Sequence, residues 1–182
     1  LFRSSFINAP GTLVVDEEEI VEKEIVSGIA YSRDEAKITL TGVEDRPGVA
    51  AGIFGPLAEA DINVDMIVQD VSEDGANTNL TFTVTEAELD RAVAVIEAER
   101  DGDGIKYAKL AADKEVVKVS VIGVGMRSHA GVAQRMFRAL AEKGINIIVI
   151  STSEIKVSVL IGEEYTELAL RSLHTAYNLD EG

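Results

Sequence analysis

One stretch of the sequence occurs twice, and this internal repeat constrains the fold more than any other feature. The first copy contains Gly48-Val49-Ala50 and the second contains Gly131-Val132-Ala133. From these glycines the two copies align without a gap through a phenylalanine, a Leu-Ala-Glu triplet and an Ile-Asn pair. Internal sequence repeats indicate repeated structural units. A chain of 182 residues is long enough for two small domains, one around each copy.

The first copy predicts the order β-α-β-β-α-β, which is the ferredoxin-like split unit. Apolar and polar residues alternate over 36–40, which is typical of a strand with one solvent-facing side. A helical stripe follows from Pro47 to about Ala60, and Pro56 inside it is expected to kink or loosen the second half. Thr85 is expected to cap the second helix. The elements predicted after the first helix cover residues 62–71, 77–84, 86–98 and 105–110.

The second copy predicts the same order of elements but stops before a fourth strand. Its elements cover residues 116–123, 130–143, 145–153, 156–161 and 164–177. A strand-like segment over 24–31 has no partner nearby in the sequence, and an open sheet edge invites pairing with other chains. We therefore predict an α+β fold of two ferredoxin-like βαββαβ units, with the first unit inserted within the second. The predicted boundaries are 35–112 for the first unit, 20–34 plus 113–182 for the second, and 1–19 for a preceding tail and linker.

The charge and composition of the chain argue against several classes of function. The formal net charge is −15, whereas nucleic-acid binding begins with a basic surface, so no nucleic acid is expected as a partner. The chain has no cysteine, which removes disulfides and thiol chemistry and fits a reducing cytoplasm. No apolar run approaches the roughly 20 residues that span a bilayer, so no membrane partner is expected.

The turn before each repeated helix has the chemistry of a carboxylate-binding site. The first N–H groups of a helix lack intrahelical acceptors, and the helix dipole favours negative charge there. Gly48 and Gly131 would let a ligand approach that backbone closely. Asp45 and Asp65 could receive the ammonium group of a free amino acid, and the asparagines of the two Ile-Asn pairs could both donate and accept. On turn chemistry alone, the glycines could equally serve only to shape turns and the asparagines only to cap them.

No catalytic constellation competes with a binding function. His129 and His174 are the only histidines, and neither has a second ligand at metal-binding spacing, so no metal site is expected. The hydroxyl-rich run 151–154 is either a strand end or a set of polar groups near the second helix start. A small enzyme on this scaffold would need a general base near a reactive group, and the sequence offers none. No catalytic residue is therefore predicted.

Together, these motifs resemble the C-terminal regulatory region of aspartate kinase, which is built from tandem ACT domains. The segments that carry the resemblance within the two repeated units are 45–50, 62–69, 125–129, 145–147 and 151–158. Residues 3–6 and 10–12 resemble the end of that enzyme's kinase domain. The resemblance therefore extends over nearly the whole chain.

The resemblance implies that this chain regulates an enzyme without catalysing a reaction itself. In that family the enzyme phosphorylates L-aspartate with ATP and Mg, and that site belongs to the kinase domain, so no cofactor is expected in this chain. The ACT pair binds end-product amino acids, L-threonine and/or L-lysine, at ACT interfaces and inhibits the kinase. The implied partners are the aspartate kinase catalytic domain or subunit and, through paired ACT units, a second copy of the chain. A cytoplasmic location is also implied.

The resemblance also assigns effector-binding positions, residue by residue. In the first unit they are Asp45, Pro47, Gly48, Val49, Ala50, Asn63, Val64, Asp65 and Gln69. In the second unit they are Val132, Ala133, Asn146, Ile147, Ser153 and Glu154. Ala130 stands where many relatives have proline, and Ala133 replaces a hydroxyl residue of some relatives, so we expect the first copy to form the better site. The alternative is a module that dimerises without any ligand.

Overall fold

A computed structural model of the protein describes residues 26–71, 75–100, 105–124 and 131–179. Outside these residues lie the predicted tail over 1–19, a predicted loop over 101–104 and the second repeated turn, 125–130, which includes His129 and Ala130. The described strands are β1 Val26–Ser32, β2 Ala36–Glu44, β3 Asp65–Val71, β4 Asn77–Val84, β5 Lys109–Asp113, β6 Val116–Gly123, β7 Val149–Thr152 and β8 Lys156–Gly162. The described α-helices are α1 Val49–Glu59, α2 Leu89–Arg100, α3 Gly131–Ala141 and α4 Thr166–Ala176.

The strands form two four-stranded antiparallel sheets. One sheet has the order β3-β4-β2-β5 and belongs to the first unit, while the other has the order β1-β6-β8-β7 and belongs to the second. β1 precedes the first unit in the chain, yet it pairs with β6, with Ile29 opposite Val121. This arrangement confirms the predicted fold class, including the insertion of the first unit within the second.

Each unit buries its apolar residues between one face of its sheet and its own two helices. In the first unit Ile38, Leu40 and Phe82 lie in this core, and the rings of Phe54 and Phe82 meet edge to face with centroids 5.2 Å apart. The second core has the same construction, with Val119 and other β6 and β8 valines under α3 and α4. Because burial of apolar surface is the main favourable term in folding, each unit is stabilised largely by its own core.

Several predicted strands begin later in the structure. The fourth strand of the first unit, predicted over 105–110, lies over 109–113, because Ile105 and Tyr107 turn into the core before the chain joins the sheet. The strands predicted from residues 62 and 145 begin three and four residues later. There the Ile62 and Ile145 N–H groups donate back to the last turns of α1 and α3 instead, at 2.9 and 3.0 Å. These bonds close the two helices at equivalent places in the repeat.

The two expectations about helix interruption and capping have different outcomes. α1 continues through Pro56 to Glu59 without a break, since the proline lies near the last turn and its own carbonyl still accepts the Ala60 N–H at 3.0 Å. Thr85 does occupy the N-cap position before residue 86, and its carbonyl accepts the Glu88 N–H at 3.0 Å, but its hydroxyl donates to the Glu88 carboxylate at 2.9 Å and caps no backbone N–H. The carboxylate of Asp34 accepts the Glu86 N–H at 3.0 Å instead, so the connection between β1 and β2 supplies this cap.

The two units contact each other through strands β3 and β7 and the open face of the second sheet. Met66 from the first unit packs with Val116, Val149 and Leu160 from the second, and all four side chains are buried. Beside them, Lys118 of β6 reaches across to Glu35 and Asp65 of the first unit. We call these seven residues the seam, which joins the units by one apolar cluster and one ionic cluster.

Candidate functional site

The first repeated turn is shaped by a glycine that adopts a left-handed conformation. Gly48 has φ 91° and directly precedes α1, whose first turn is closed by a 2.9 Å bond from the Gly52 N–H to the Gly48 carbonyl. The Asp45 N–H donates to the Ala76 carbonyl at 3.1 Å, which anchors the start of the turn to the neighbouring hairpin. The Val49 N–H donates to the Arg46 carbonyl at 3.2 Å, so the N–H groups of Ala50 and Ala51 are the candidates for an anion at this helix start, where helix geometry and dipole favour negative charge.

This turn lines an open cavity of about 560 Å³. Gln69, in the middle of β3, and Asp45, in the turn itself, both line it and are both exposed. The residues that line the cavity are Asp45, Arg46, Pro47, Gly48, Val49, Ala50, Ala51 and Gln69. Six of the nine positions carried over for the first unit thus share one cavity: helix N–H groups, one carboxylate and one side-chain amide.

The other three predicted positions of the first unit lie just before β3 and at its first residue. Asn63 is exposed, and Val64 packs partly against the first core. Asp65 already has partners, because its Oδ1 accepts the Met66 N–H at 2.8 Å and its Oδ2 accepts from Lys118 Nζ at 2.9 Å. The hydrogen bond from Lys118 is the main reason why the pKa of Asp65 lies below its usual range. A ligand ammonium at Asp65 would have to compete with Lys118.

The second repeated helix start is built differently. α3 begins at Gly131 itself, and the carbonyl of the buried Val132 accepts a hydrogen bond of 2.6 Å from the Tyr177 hydroxyl. Burial raises the pKa of Tyr177 to about 12 and outweighs the opposite effect of the Arg135 guanidinium, which lies 5.7 Å from the ring centre. Ala133, also carried over as an effector contact, packs partly against the second core. A buried tyrosine therefore holds the first turn of α3 from inside.

The remaining predicted positions of the second unit lie around β7. Asn146 and Glu154 are exposed, and Ile147 packs partly against the second core. Ser153 closes the turn between β7 and β8: its N–H donates to the Lys156 carbonyl at 2.8 Å, and its hydroxyl accepts the Lys156 N–H at 3.2 Å. In this structure the serine acts as a turn residue, and its predicted effector contact stays a prediction.

Three residues that matter for these sites were not predicted from the sequence: Lys118, Glu35 and Tyr177. Lys118 had a signal, since it interrupts the apolar run of β6, and a charge in a buried strand needs a partner. Glu35 had no comparable signal, because its burial depends on how the two units pack together. Tyr177 follows the last residue of α4, and only the tertiary structure places its hydroxyl at α3.

In residues 26–71, 75–100, 105–124 and 131–179, no group of three or more histidine, aspartate or glutamate side chains is arranged to hold a metal ion. Within the same residues no helix is long and apolar enough to cross a membrane.

Comparison with known proteins identifies relatives of this chain. The chain matches the ACT domain family over residues 37–99 and 119–177. It is 56% identical over 177 residues to an aspartate kinase of Pseudomonas fluorescens (strain SBW25), covering 97% of this chain and 42% of that protein. One chain in the crystal structure of aspartokinase alpha and beta subunits superposes with a TM-score of 0.77 at 48% identity, covering 84% of this chain and 99% of that one.

A second solved structure has a similar degree of likeness. The regulatory subunit of aspartate kinase from Thermus thermophilus, in its ligand-free form, gives a TM-score of 0.79 at 39% identity, with coverage of 85% of this chain and 99% of the subunit. The chain thus spans about two fifths of the length of the curated relatives it matches and nearly the full length of these solved chains.

Proposed function

Because the chain belongs to the aspartate kinase family and corresponds to its regulatory ACT domains, we propose that it senses a free amino acid and inhibits a partner kinase. The proposed effectors are L-threonine and/or L-lysine, end products of the pathway that aspartate kinase opens. The proposed partner is an aspartate kinase catalytic domain or subunit, in the cytoplasm. The solved alpha and beta subunits of an aspartokinase support such a partner.

The cavity at the first repeated turn is the observation that carries this proposal. It combines an anion-binding helix start with the Asp45 carboxylate and the Gln69 amide. A free amino acid carries a carboxylate and an ammonium on one carbon, so it needs both kinds of partner within a few ångströms. The side-chain amide of Gln69 both donates and accepts, which suits the polar end of a threonine or lysine side chain.

The edge strands support a second copy of the chain as a further partner. β3 and β7 each lie at the edge of a sheet, and although the two strands contact each other within the chain, both keep exposed side chains. Exposed apolar side chains lie on these strands, including Ile67 and Val71, each 51% exposed, and Ile150, 44% exposed. A homodimer that pairs ACT units side by side would cover this surface and complete the open cavity beside β3.

The proposed mechanism is a shift between two arrangements of the ACT units. An effector that binds one arrangement more tightly than the other biases the kinase by that difference in affinity. A coupling of about 1–3 kcal/mol would change affinity between several-fold and a hundred-fold or so.

Calorimetric titration with threonine, with lysine and with both together tests the effector proposal. Asp45→Ala and Gln69→Ala should each weaken binding without unfolding the protein, because both side chains are exposed. Asp90→Ala and Gln134→Ala remove exposed residues of the same types on α2 and α3, neither of which lines the cavity, and serve as controls. The proposal fails if no amino acid produces heat, or if the control substitutions reduce binding as much.

The molecular mass in solution distinguishes the effector proposal from its alternative, dimerisation without any ligand. Light scattering with and without threonine should show whether the dimer population or its shape responds to the effector. A dimer that is unchanged by threonine and lysine, in a chain that binds neither, would leave dimerisation as the function.

A further inference from the structure

The ionic part of the seam holds the first unit against the second at two points. The Lys118 side chain, only 18% exposed, forms an ion pair with Glu35, whose side chain is 7% exposed. Its Nζ also donates to Asp65 Oδ2 at 2.9 Å. Glu35 directly precedes β2 and Asp65 begins β3, so one ammonium group of the second unit fixes the starts of two strands of the first.

The contact at Asp65 is connected to the candidate cavity by a single short strand. Gln69, which lines the cavity, lies four residues after Asp65 in β3. Between them, Met66 has φ 47° and places its side chain in the apolar part of the seam. The pairing of β3 with β4 shifts between Asp65 and Val68. The start of β3 is thus held by the second unit, while its middle positions a side chain at the first site.

The energetics of the cluster favour one arrangement of the units. A buried charge is costly unless it is paired, and removing one partner leaves the other uncompensated. Burial alone would lower the pKa of Lys118, but the hydrogen bonds to Glu35 and Asp65 outweigh that effect and the net shift is upward. A small movement that draws Lys118 away while Glu35 stays covered would leave a buried carboxylate without its cation.

We propose that Lys118 is a positioning residue that couples the two units, because its ammonium fixes the start of β3 and thereby the place of Gln69 in the first cavity. Occupancy of that cavity and the packing of the second unit are then linked. By reciprocity, whatever stabilises the seam increases affinity at the cavity, and a ligand in the cavity stabilises the seam. The part of this inference that concerns affinity rests on the proposed function.

The test compares Lys118→Met with a lysine of similar burial that stays within one unit. Lys37 of β2 is 20% exposed and pairs with Asp113 of β5 at 3.5 Å, both in the first sheet, so Lys37→Met is the matched control. Lys118→Met should accelerate hydrogen exchange across 65–71 and weaken amino-acid binding at the first cavity about tenfold. Lys37→Met should change affinity less than about twofold, and Lys118→Arg, which keeps the positive charge, should bind more tightly than Lys118→Met.

Hydrogen exchange across 65–71 and amino-acid binding together separate this inference from the effector proposal. If the unmodified chain binds no amino acid, the proposed function fails, while exchange across 65–71 still decides whether Lys118 fixes β3. If Lys118→Met does not fold, Glu35→Met/Lys118→Met removes both buried charges and should fold, since apolar replacement of a buried pair is often tolerated. The inference is overturned if the variant that lacks Lys118 exchanges and binds like Lys37→Met.

Discussion

The two glycines that align in the repeat have different roles in the two units. Gly48 precedes α1 with a left-handed φ of 91°, whereas Gly131 is the first residue of α3 and has no positive φ. A Cβ added at either position would meet no atom within 4 Å. The difference is therefore one of backbone conformation rather than space, and an identical sequence motif does not guarantee an identical conformation of its glycine.

The residues around the two helix starts also differ. At the first, an open cavity collects helix N–H groups, Asp45 and Gln69. At the second, the Val132 carbonyl receives the Tyr177 hydroxyl, and the Ser153 hydroxyl is engaged in the β7–β8 turn. The repeat preserves a fold and a helix start, while residues outside the shared motif decide which groups surround each start.

The largest expected effects come from a pair of core positions that are equivalent in the repeat. Ile53 of α1 and Met136 of α3 are 1% and 0% exposed, in the first and second cores respectively. Ile53→Ala and Met136→Ala should each lower the free energy of unfolding by about 2–5 kcal/mol, because each leaves a cavity. Hydrogen exchange mapped along the chain should locate the loss of protection in the unit that carries the substitution. Equal loss in both units would show that the two cores do not respond separately.

Alanine at the two aligned glycines should change stability in opposite directions. Gly48→Ala places a Cβ in the left-handed region and should cost about 1–2 kcal/mol. Gly131→Ala introduces a better helix former without strain and should add about 0.4–1 kcal/mol. Urea unfolding of both variants, compared with the unmodified chain, measures the two signs. If both substitutions destabilise, the two helix starts are more alike than the structure indicates.

A hydroxyl deletion tests whether the second helix start is held from inside. Tyr177→Phe keeps the buried ring and removes the hydrogen bond to Val132, so it should cost about 0.5–1.5 kcal/mol. Faster exchange should be confined to the first turn of α3, and binding at the first cavity should stay unchanged. Tyr31→Phe, at a tyrosine 52% exposed on β1 of the same unit, is the control and should have little effect. A loss of binding at the first cavity would contradict the separation of the two sites.

The sequence was sufficient to predict the fold because the repeat and the count of strands left few solutions. The strand over 24–31 had no local partner and the second copy lacked its fourth strand, so pairing one with the other followed from the cost of open edges. The structure forms that pair as β1 and β6. Strand starts were predicted less well, since the bonds from Ile62 and Ile145 back into the helices depend on how each helix ends.

The candidate site was predictable only where the information is local. Pro47, Gly48 and Val49 are neighbours in the sequence and share the cavity. The contact between Lys118 and Asp65 joins residues 53 positions apart in different units, and it depends on the docking of those units. No periodicity or turn motif predicts how the units dock, so the ionic part of the seam could be found only in the structure.

The smallest expected effect is a loss of stability at alkaline pH, which comes from Tyr177 in the second unit. Burial raises the pKa of Tyr177 to about 12, whereas an unfolded tyrosine titrates near 10. Above pH 10 or so the unfolded chain releases this proton while the folded chain retains it. The contribution of Tyr177 to stability is therefore complete below about pH 10 and is lost as the pH rises toward 12.

Tyr177→Phe has no proton to lose at this position and is the matched control for the alkaline experiment. Between about pH 8 and pH 10.5, the unmodified chain should lose less than about 1 kcal/mol more unfolding free energy than the variant, since partial solvation of the ring moderates the effect. Urea unfolding at the two pH values measures the difference. Other tyrosines and lysines titrate in both proteins and cancel in the comparison. An equal loss in the two proteins would mean that the hydroxyl is not held in the buried contact with Val132, and the contrast between the two helix starts would then rest on the conformations of Gly48 and Gly131 alone.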